Sequence, residues 1–403
     1  MPMDERLIAE LSAWTTGAGL AGKSETALLT GFCERAVAAG IAVAKASLIV
    51  DTLHPIHEGR VFRWQLGEHE STLREYGRTN EGEAAESWRR SPFYHLVQTG
   101  ESFLRPVLSP DAVVDFPIVE EMRAAGMTDY LAMNNRFAAG GAIGELDCIL
   151  SSWASDAPGG FGEPAVAALR RLVPVLALGV KSASLGRIAE TLVETYLGRD
   201  AGRRVLSGLI ARGVAEKIGA VLWFSDLRGY TRITDTAPPE QIIPLLNDYA
   251  DAVISSIHEE GGEVLKLIGD GTLAIFQAAE RERACHGALA AAAAARGRID
   301  ALNRQRAALA LPVTHIYLGL HVGEVFYGNV GSKDRLDFTV VGPAVNEASR
   351  IAAMCRSTDQ DVLLSAAFAA SCGTARQRLV SVGRYALRGV GRPQELFTLE
   401  PES

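Results

Sequence analysis

The sequence predicts an α+β protein with two domains connected by a helical segment. Its 403 residues are too many for one ordinary hydrophobic core, and 48% apolar with 22% charged residues is typical of a globular chain. Helical and strand patterns alternate in both halves, and a helical stretch separates them. We therefore expect a first domain at 1–180, a connecting helix at 181–213 and a second domain at 214–403.

Composition and charge argue against several classes of protein. A net charge of −8 leaves no basic stripe for a phosphate backbone, so we expect no nucleic-acid partner. The five cysteines are scattered and never spaced as CxxC, which argues against a zinc site or a disulfide framework. The apolar stretch 172–180 is short and flanked by charges, and the first residues lack the features of a signal peptide. We expect a cytoplasmic protein without a membrane span.

The first domain is predicted to hold an antiparallel sheet with helices around it. A helix capped by Ser24 precedes two strands, which are separated by a turn containing His, Pro and Gly. The later elements are helices near 91–100 and 121–127, strands at 129–137 and 144–154, and a closing helix at 162–183. This element order resembles a GAF-type sensor domain, an α/β sandwich. The resemblance implies a small-molecule or signal ligand of unknown identity, and a purely structural dimerisation domain is the alternative.

The connecting segment carries apolar residues at nearly heptad spacing. They are Leu185, Ile188, Leu192, Tyr196 and Leu197. A helix with such a stripe can pair with its copy in a second chain. An amphipathic helix that lies on its own domain has the same pattern, so both interpretations stay open.

The second domain begins with a strand that ends near Asp226. A helix started by Pro238 and Pro239 follows, then a strand, turn and strand at 263–277 and an alanine-rich helix. A long strand, the short strand 337–342, a helix from Pro343 and two closing strands complete the order. The β-α-β-β-α-β core of this order predicts a ferredoxin-like α+β sandwich with added strands.

Two carboxylates stand at the ends of apolar strands in this domain. Asp226 follows the run Val221–Phe224, where it either caps the next helix or faces a ligand. Asp270 lies in a Gly-Asp-Gly turn, which alone is ordinary hairpin chemistry. Paired with Asp226, Asp270 becomes half of a two-carboxylate site for hard divalent cations, because Mg²⁺ prefers a few carboxylate oxygens, water and substrate phosphates.

A third polar group lies on the helix that starts at Pro343. Asn346 and Arg350 are four residues apart, so they project from one face of the helix. An amide that orients a sugar and a guanidinium that contacts a phosphoryl group would then point to the same place. A solvated polar face is the alternative for this pair.

Three segments together resemble the signature blocks of the class III nucleotidyl cyclases, the adenylate and guanylate cyclases. They are "FSDLRGYT" at 224–231, "KLIGDG" at 266–271 and "VVGPAVNEASR" at 340–350. The resemblance implies that Asp226, Asp270 and the main-chain carbonyl of Leu227 bind two Mg²⁺ or Mn²⁺ ions. It also implies that the turn containing Gly229 and Thr231 binds the triphosphate of the substrate through its amides.

The same resemblance assigns roles in phosphoryl transfer. Asn346 would position the ribose, Arg350 would stabilise charge on the α-phosphoryl group, and Arg388 falls near the family's phosphate-contacting lysine. The implied reaction is attack of the ribose 3′-oxygen on the α-phosphorus, with pyrophosphate as the leaving group. In the family the active unit is a head-to-tail homodimer with sites at its interface.

Lys266 and Thr339 occupy the positions that read the purine in this family. A lysine donates to N1 of adenine, whereas guanylate cyclases usually have a glutamate there. Thr339 stands where adenylate cyclases often have aspartate, and its hydroxyl both accepts and donates. The pair predicts an adenylate cyclase that uses ATP. A guanylate cyclase and a non-catalytic cyclase-like module for dimerisation or nucleotide sensing are the alternatives.

Overall fold

The computed structural model describes residues 4–68, 71–106, 108, 116–137, 143–144, 146–277 and 279–400. The chain forms two compact units, Met1–Leu192 and Val193–Ser403. The boundary between them falls inside one long helix, and each unit has its own sheet and its own hydrophobic core.

A six-stranded sheet is the centre of the first unit. Its order is β3-β2-β1-β6-β5-β4, and each pair of neighbouring strands is antiparallel. The strands are β1 (Lys45–Asp51), β2 (Gly59–Gln65), β3 (Thr72–Tyr76), β4 (Phe103–Leu104), β5 (Asp129–Arg136) and β6 (Cys148–Ser155). The predicted pairing of the first two strands is confirmed. The short edge strands β3 and β4 escaped prediction because their sequences lack a clear apolar alternation.

Six helices cover the two faces of this sheet. They are α1 (Glu5–Leu20), α2 (Glu25–Ala38), α3 (Gly82–Arg89), α4 (Pro92–Thr99), α5 (Pro117–Ala124) and α6 (Glu163–Leu197). Ser24 caps α2 as predicted, because its hydroxyl accepts from the amide of Ala27. Phe32 and Trp153 lie in the larger core on the side of α2 and α6, and Leu96 and Tyr130 lie in a smaller core on the side of α4 and α5. The assignment to the GAF type stays a prediction.

Helix α6 is longer and more continuously apolar than the sequence patterns indicated. By length and composition alone it is long and apolar enough to cross a membrane, although 39% of its most apolar window is buried inside the structure. The apolar stretch 172–180 is thus part of a longer helix than the sequence patterns indicated, and the lack of a membrane span stays a prediction. Localisation in the cytoplasm stays a prediction.

The heptad-like stripe of the connecting segment packs on the first unit as far as Leu192. Ile188 is buried in the larger core, and Leu185 and Leu192 pack against it. Tyr196, in contrast, is 81% exposed. The first part of the stripe thus behaves as the amphipathic-helix interpretation predicts. The helix ends at Leu197, before Gly198, whose φ of 86° favours glycine.

The second unit has an eight-stranded sheet of order β13-β14-β12-β10-β7-β9-β8, with β11 paired to β10. Its strands are β7 (Ala215–Leu227), β8 (Glu263–Ile268), β9 (Gly271–Phe276), β10 (Ile316–Gly331), β11 (Leu336–Val341), β12 (Val362–Ser365), β13 (Leu379–Tyr385) and β14 (Gln394–Leu399). The central pair, β7 with β10, is antiparallel. Side chains alternate along β7, so that Trp223 and Leu222 enter the cores on opposite faces of the sheet.

The helices of the second unit lie on both faces of its sheet. They are α7 (Arg199–Leu206), α8 (Tyr230–Thr236), α9 (Ile242–Glu259), α10 (Arg281–Ala308), α11 (Pro343–Thr358) and α12 (Ala366–Ser371). Helices α9 and α10 share the core that contains Trp223, and α11 shares the core that contains Leu222. The segment from β7 to β10 has the predicted β-α-β-β-α-β order, with α8 added before α9. Pro239 begins a 3₁₀ turn that leads into α9.

Candidate active site

Asp226 is the penultimate residue of β7, at the edge where the chain turns into α8. The residue at the N-cap of α8 is Gly229, with φ 70°, and no side chain caps this helix in the described structure. A left-handed φ is accessible to glycine because it lacks a Cβ. The alternative role for Asp226, as a helix cap, is therefore wrong.

The Gly-Asp-Gly turn brings Asp270 beside Asp226. The amide of Leu227 donates to Oδ2 of Asp270 at 3.2 Å. Gly271 follows the turn, and a Cβ there would lie 2.8 Å from the carbonyl oxygen of Ser225 and 3.5 Å from Oδ1 of Asp226. The close approach of β9 to the end of β7 thus depends on a residue without a side chain, and it brings the two carboxyl groups into contact.

The electrostatics of Asp226 reflect this neighbour. Partial burial at the strand end, followed by the hydrogen bond and the negative charge of Asp270, raises the pKa of Asp226 to about 6. The amide of Leu227 and the positive charge of Arg356 act in the opposite direction. A divalent cation would relieve the repulsion between the two carboxylates.

The donor set fits a hard cation that is incompletely enclosed by protein. Within the described residues, no group of three or more His, Cys, Asp or Glu side chains is arranged to hold a metal ion. Two carboxylates with an adjacent main-chain carbonyl at Leu227 leave coordination positions for water and phosphate oxygens. That combination suits Mg²⁺ or Mn²⁺ in a nucleotide site and does not suit a closed structural metal site.

Asn346 and Arg350 line one cavity near the start of α11, as their spacing predicts. The cavity has a volume of about 620 Å³, and Gly389 and Val390 form part of its wall. Helix α11 packs closely on β10 at Gly319, which has no side chain. A Cβ at that position would be only 2.5 Å from the amide nitrogen of Ala352. This close packing fixes the helix on the sheet and holds both polar side chains at the cavity.

Arg388 lies in the turn that faces Arg350. The next residue, Gly389, is so close that a Cβ there would be 3.3 Å from each terminal nitrogen of Arg350. Arg388 itself is exposed. Arg350 thus lines the cavity, where a guanidinium suits the binding of an anionic group, and Arg388 lies on the neighbouring turn outside the residues that line it.

The carboxylate pair and the Asn346/Arg350 pair lie at different ends of α11 within one chain. Near the end of α11, the thiol of Cys355 donates to the carbonyl oxygen of Leu318, which lies opposite Ser225, the neighbour of Asp226. Cys355 is nine residues beyond Asn346, which corresponds to about 14 Å of helix. Asp270 lines a separate pocket of about 180 Å³ beside α9, which shares no described residue with the cavity at Asn346. One chain therefore presents two separate groups of candidate residues.

Lys266 and Thr339 lie on β8 and β11, and a third residue joins them. The ammonium group of Lys266 forms an ion pair with the carboxylate of Asp337. Asp337 precedes Thr339 by two residues and lies on the same face of β11. Sequence reasoning missed Asp337, although its position in the alternating segment "LDFTVVG" was a usable signal.

Residues 214–401 match the family model for the adenylate and guanylate cyclase catalytic domain. This segment, slightly less than half of the chain, is similar to the catalytic domain of the class III cyclases. All three segments that carry the resemblance, from 224 to 350, lie inside it.

Two adenylate cyclases are similar to part of the chain. The adenylate cyclase of Anabaena cylindrica is 34% identical over 153 residues, which are 38% of this chain and 30% of that protein. Adenylate cyclase 1 of Rhizobium meliloti is 32% identical over 154 residues, which are 37% of this chain and 23% of that protein. The chain thus matches less than a third of the length of either relative.

Solved cyclase structures are similar to slightly less than half of the chain. The adenylyl cyclase CyaB from P. aeruginosa is 23% identical, with a TM-score of 0.43, over 47% of this chain and 97% of that one. The guanylyl cyclase Cya2 is 26% identical, with a TM-score of 0.41, over 46% of this chain and 93% of that one.

Proposed function

We propose that the cyclase domain converts ATP to 3′,5′-cyclic AMP and pyrophosphate with two Mg²⁺ or Mn²⁺ ions per active site. The observation that carries this proposal is the contact between Asp226 and Asp270 at the ends of neighbouring strands of a cyclase domain. Sequence similarity to two adenylate cyclases supports ATP as the substrate.

The residues of this chain divide the work of the reaction. The carboxylates of Asp226 and Asp270, with the carbonyl of Leu227, would hold the metal ions. When bound, these ions neutralise phosphate charge and lower the pKa of the ribose 3′-hydroxyl. The amides of the turn at Gly229 and Thr231 are proposed to bind the triphosphate.

A second group of side chains would hold the reacting atoms in line. Asn346 orients the ribose, Arg350 stabilises the charge that develops on the α-phosphoryl oxygens, and Arg388 binds phosphate. A bond forms between the 3′-oxygen and the α-phosphorus while the bond from the α-phosphorus to the bridging oxygen breaks. The 3′-hydroxyl gives its proton to a water molecule, and pyrophosphate departs with the electron pair of the broken bond.

We also propose that the active unit is a head-to-tail homodimer. The separation of the carboxylate pair from the Asn346/Arg350 pair along α11 supports this, because one chain then supplies two half-sites. A two-fold dimer would combine the metal-binding half of one chain with the other half from its partner.

A direct assay tests the proposed activity against its alternatives. Full-length protein with Mn²⁺ and ATP should form cyclic AMP and pyrophosphate in equal amounts. Cyclic GMP formation from GTP at a higher kcat/KM would identify a guanylate cyclase. Absence of both products, with retained nucleotide binding, would identify the non-catalytic module.

Exchange of the two purine-reading residues should change the substrate preference. Lys266→Glu removes the donor to N1 of adenine, and Thr339→Cys removes a hydroxyl acceptor, so the double variant should lose its preference for ATP over GTP by about tenfold or more. Initial rates with both nucleotides over a range of concentrations measure the ratio of kcat/KM values. An unchanged ratio would place the purine pocket elsewhere.

The first unit is proposed to regulate the cyclase domain in response to an unknown small molecule or signal. Helix α6 contains the boundary between the units. A change in the packing of this helix would therefore shift the cyclase domain from one discrete arrangement to another. Each inserted residue rotates the following helix by about 100°. Insertion of two alanines after the exposed Glu190 should therefore alter basal cyclic AMP production more than insertion of four.

The insertion series has a clear contrary outcome. A response that changes smoothly with the number of inserted residues, without dependence on helical phase, would mean that α6 is a passive tether. Circular dichroism of each variant controls for loss of folding.

A further inference from the structure

The side chain of Lys266 forms an ion pair with Asp337, a residue that has no role in the purine recognition described so far. Lys266 is on β8, an edge strand of the sheet, and Asp337 is on β11, which pairs with β10. The two strands are not hydrogen-bonded neighbours. Their ion pair lies beside the core that contains Leu265 and Phe338. Packing of these two apolar neighbours therefore brings the two charged residues together.

Local backbone structure aims Lys266 toward β11. The register of β8 against β9 shifts between Val264 and Lys266, so that Leu265 is the extra residue of a bulge. A bulge of this kind redirects the side chains that follow it. Leu265 is 7% exposed in the core, whereas the side chain of Lys266 is 46% exposed. The ammonium group is thus presented to the open face.

Asp337 and Thr339 share that open face. They alternate along β11 with Phe338 and Val340, which are buried in the core beneath. The side chain of Asp337 is 40% exposed, and its Oδ2 contacts the ammonium group of Lys266. A carboxylate, an ammonium group and a hydroxyl are therefore gathered at one place.

The chemistry of this trio distinguishes adenine from guanine. Adenine presents an acceptor at N1 and a donor amino group at position 6, whereas guanine presents a donor at N1 and an acceptor at O6. With the ammonium group at N1 and the carboxylate at position 6, this pair matches adenine and opposes guanine, because lysine only donates and an ionised carboxylate only accepts. Thr339 alone discriminates poorly, because its hydroxyl rotates to donate or to accept.

We propose that Asp337 is the acidic partner of Lys266 in purine recognition. One carboxylate oxygen holds the ammonium group in position for N1, and the other accepts a hydrogen bond from the 6-amino group. Asp337 thereby makes an adenine nucleotide the preferred ligand despite the threonine at position 339. This inference rests on the proposed function, since it concerns the substrate of the same site.

Substitutions at Asp337 in the full-length protein test the inference. Asp337→Ala should lower the ratio of kcat/KM for ATP to that for GTP by about tenfold or more, mainly through a higher KM for ATP. Asp337→Asn should also favour GTP, because its amide can turn to donate to O6. Asp337→Glu keeps the carboxylate and should restore part of the preference for ATP.

A matched control is the exposed ion pair between Lys217 and Glu324, at 2.8 Å in the same unit. Glu324→Gln removes one charge from a lysine–carboxylate pair, as Asp337→Asn does, and should leave the ATP-to-GTP ratio unchanged. If Asp337→Ala keeps the ratio within twofold, or raises kcat/KM for ATP, the proposal is overturned.

Binding of non-reactive nucleotides separates this inference from the proposed function. 3′-Deoxy-ATP and 3′-deoxy-GTP lack the attacking oxygen, so calorimetry with them reports purine preference without catalysis. An inactive wild-type protein that prefers 3′-deoxy-ATP, and loses that preference in Asp337→Ala, would refute the activity and support the inference. A wild-type protein that binds both equally would overturn the inference even if it makes cyclic AMP.

Discussion

Replacement of Asp226 or Asp270 by alanine should lower the rate of cyclic AMP formation by about a thousandfold or more. Each change removes one of two adjacent carboxylates, and the charge that holds the metal ions and opposes phosphate repulsion disappears with it. Rates are measured at saturating Mn²⁺ and ATP, so that weaker metal binding alone does not explain the loss.

The same substitutions should leave the fold intact. Asp226 has a raised pKa, caused by partial burial and then by Asp270, so its ionised form is favoured less in the folded chain than in the unfolded chain. At neutral pH this difference opposes folding, and it disappears as the pH falls below the usual range of an aspartate. The melting temperature of Asp226→Ala at pH 7 should therefore equal or exceed that of the wild type.

A carboxylate away from the site provides the control. Asp251 is exposed on α9 of the same unit, and Asp251→Ala should retain full activity. Turnover of Asp226→Ala within tenfold of the wild type would contradict the proposed role of the carboxylate pair.

A mixture of two inactive variants should recover about a quarter of wild-type activity after their chains have exchanged. Asp226→Ala damages the metal-binding half-site, and Asn346→Ala damages the half-site that orients the ribose. With random exchange, about half of the dimers contain one chain of each kind, and each mixed dimer has one intact site and one doubly damaged site. Recovery follows because the two half-sites of one chain belong to different active sites.

The mixing experiment requires proof that the heterodimer forms. Co-expression of the two variants with different tags, followed by sequential affinity purification, isolates mixed dimers, which should have about half of wild-type activity. Isolated heterodimers as inactive as their parents would show that the carboxylate pair and Asn346 act within one chain. Double-variant homodimers, with both substitutions in each chain, give the background rate.

Local patterns in the sequence were sufficient to predict most of the elements and the candidate site. The apolar run before Asp226, the glycines around Asp270 and the spacing of Asn346 and Arg350 are properties of short segments. Strand alternation, turn chemistry and helical spacing all operate over a few residues, so they can be read without a structure. The predicted strand ends, turn and helix face are found in the second unit.

Other features depend on contacts between distant segments. The packing of Leu185, Ile188 and Leu192 on the first unit required knowledge of which core lies beside α6, since the same stripe also suits a coiled coil. The contact between Asp226 and Asp270 likewise depends on the pairing of β7 with β9. The residue pattern of one strand does not identify which distant strand will pair with it.

The sequence alone therefore determined which residue types are present at the candidate site. The tertiary structure decided which side chains contact one another there. Lys266 is recognisable from the segment that contains Asp270, but Asp337 is 71 residues away and on a strand that does not pair with β8. The two meet because the bulge in β8 and the packing of Phe338 over the sheet direct both charges to one face. Such a meeting depends on the free energy of packing the whole unit, which no local periodicity records.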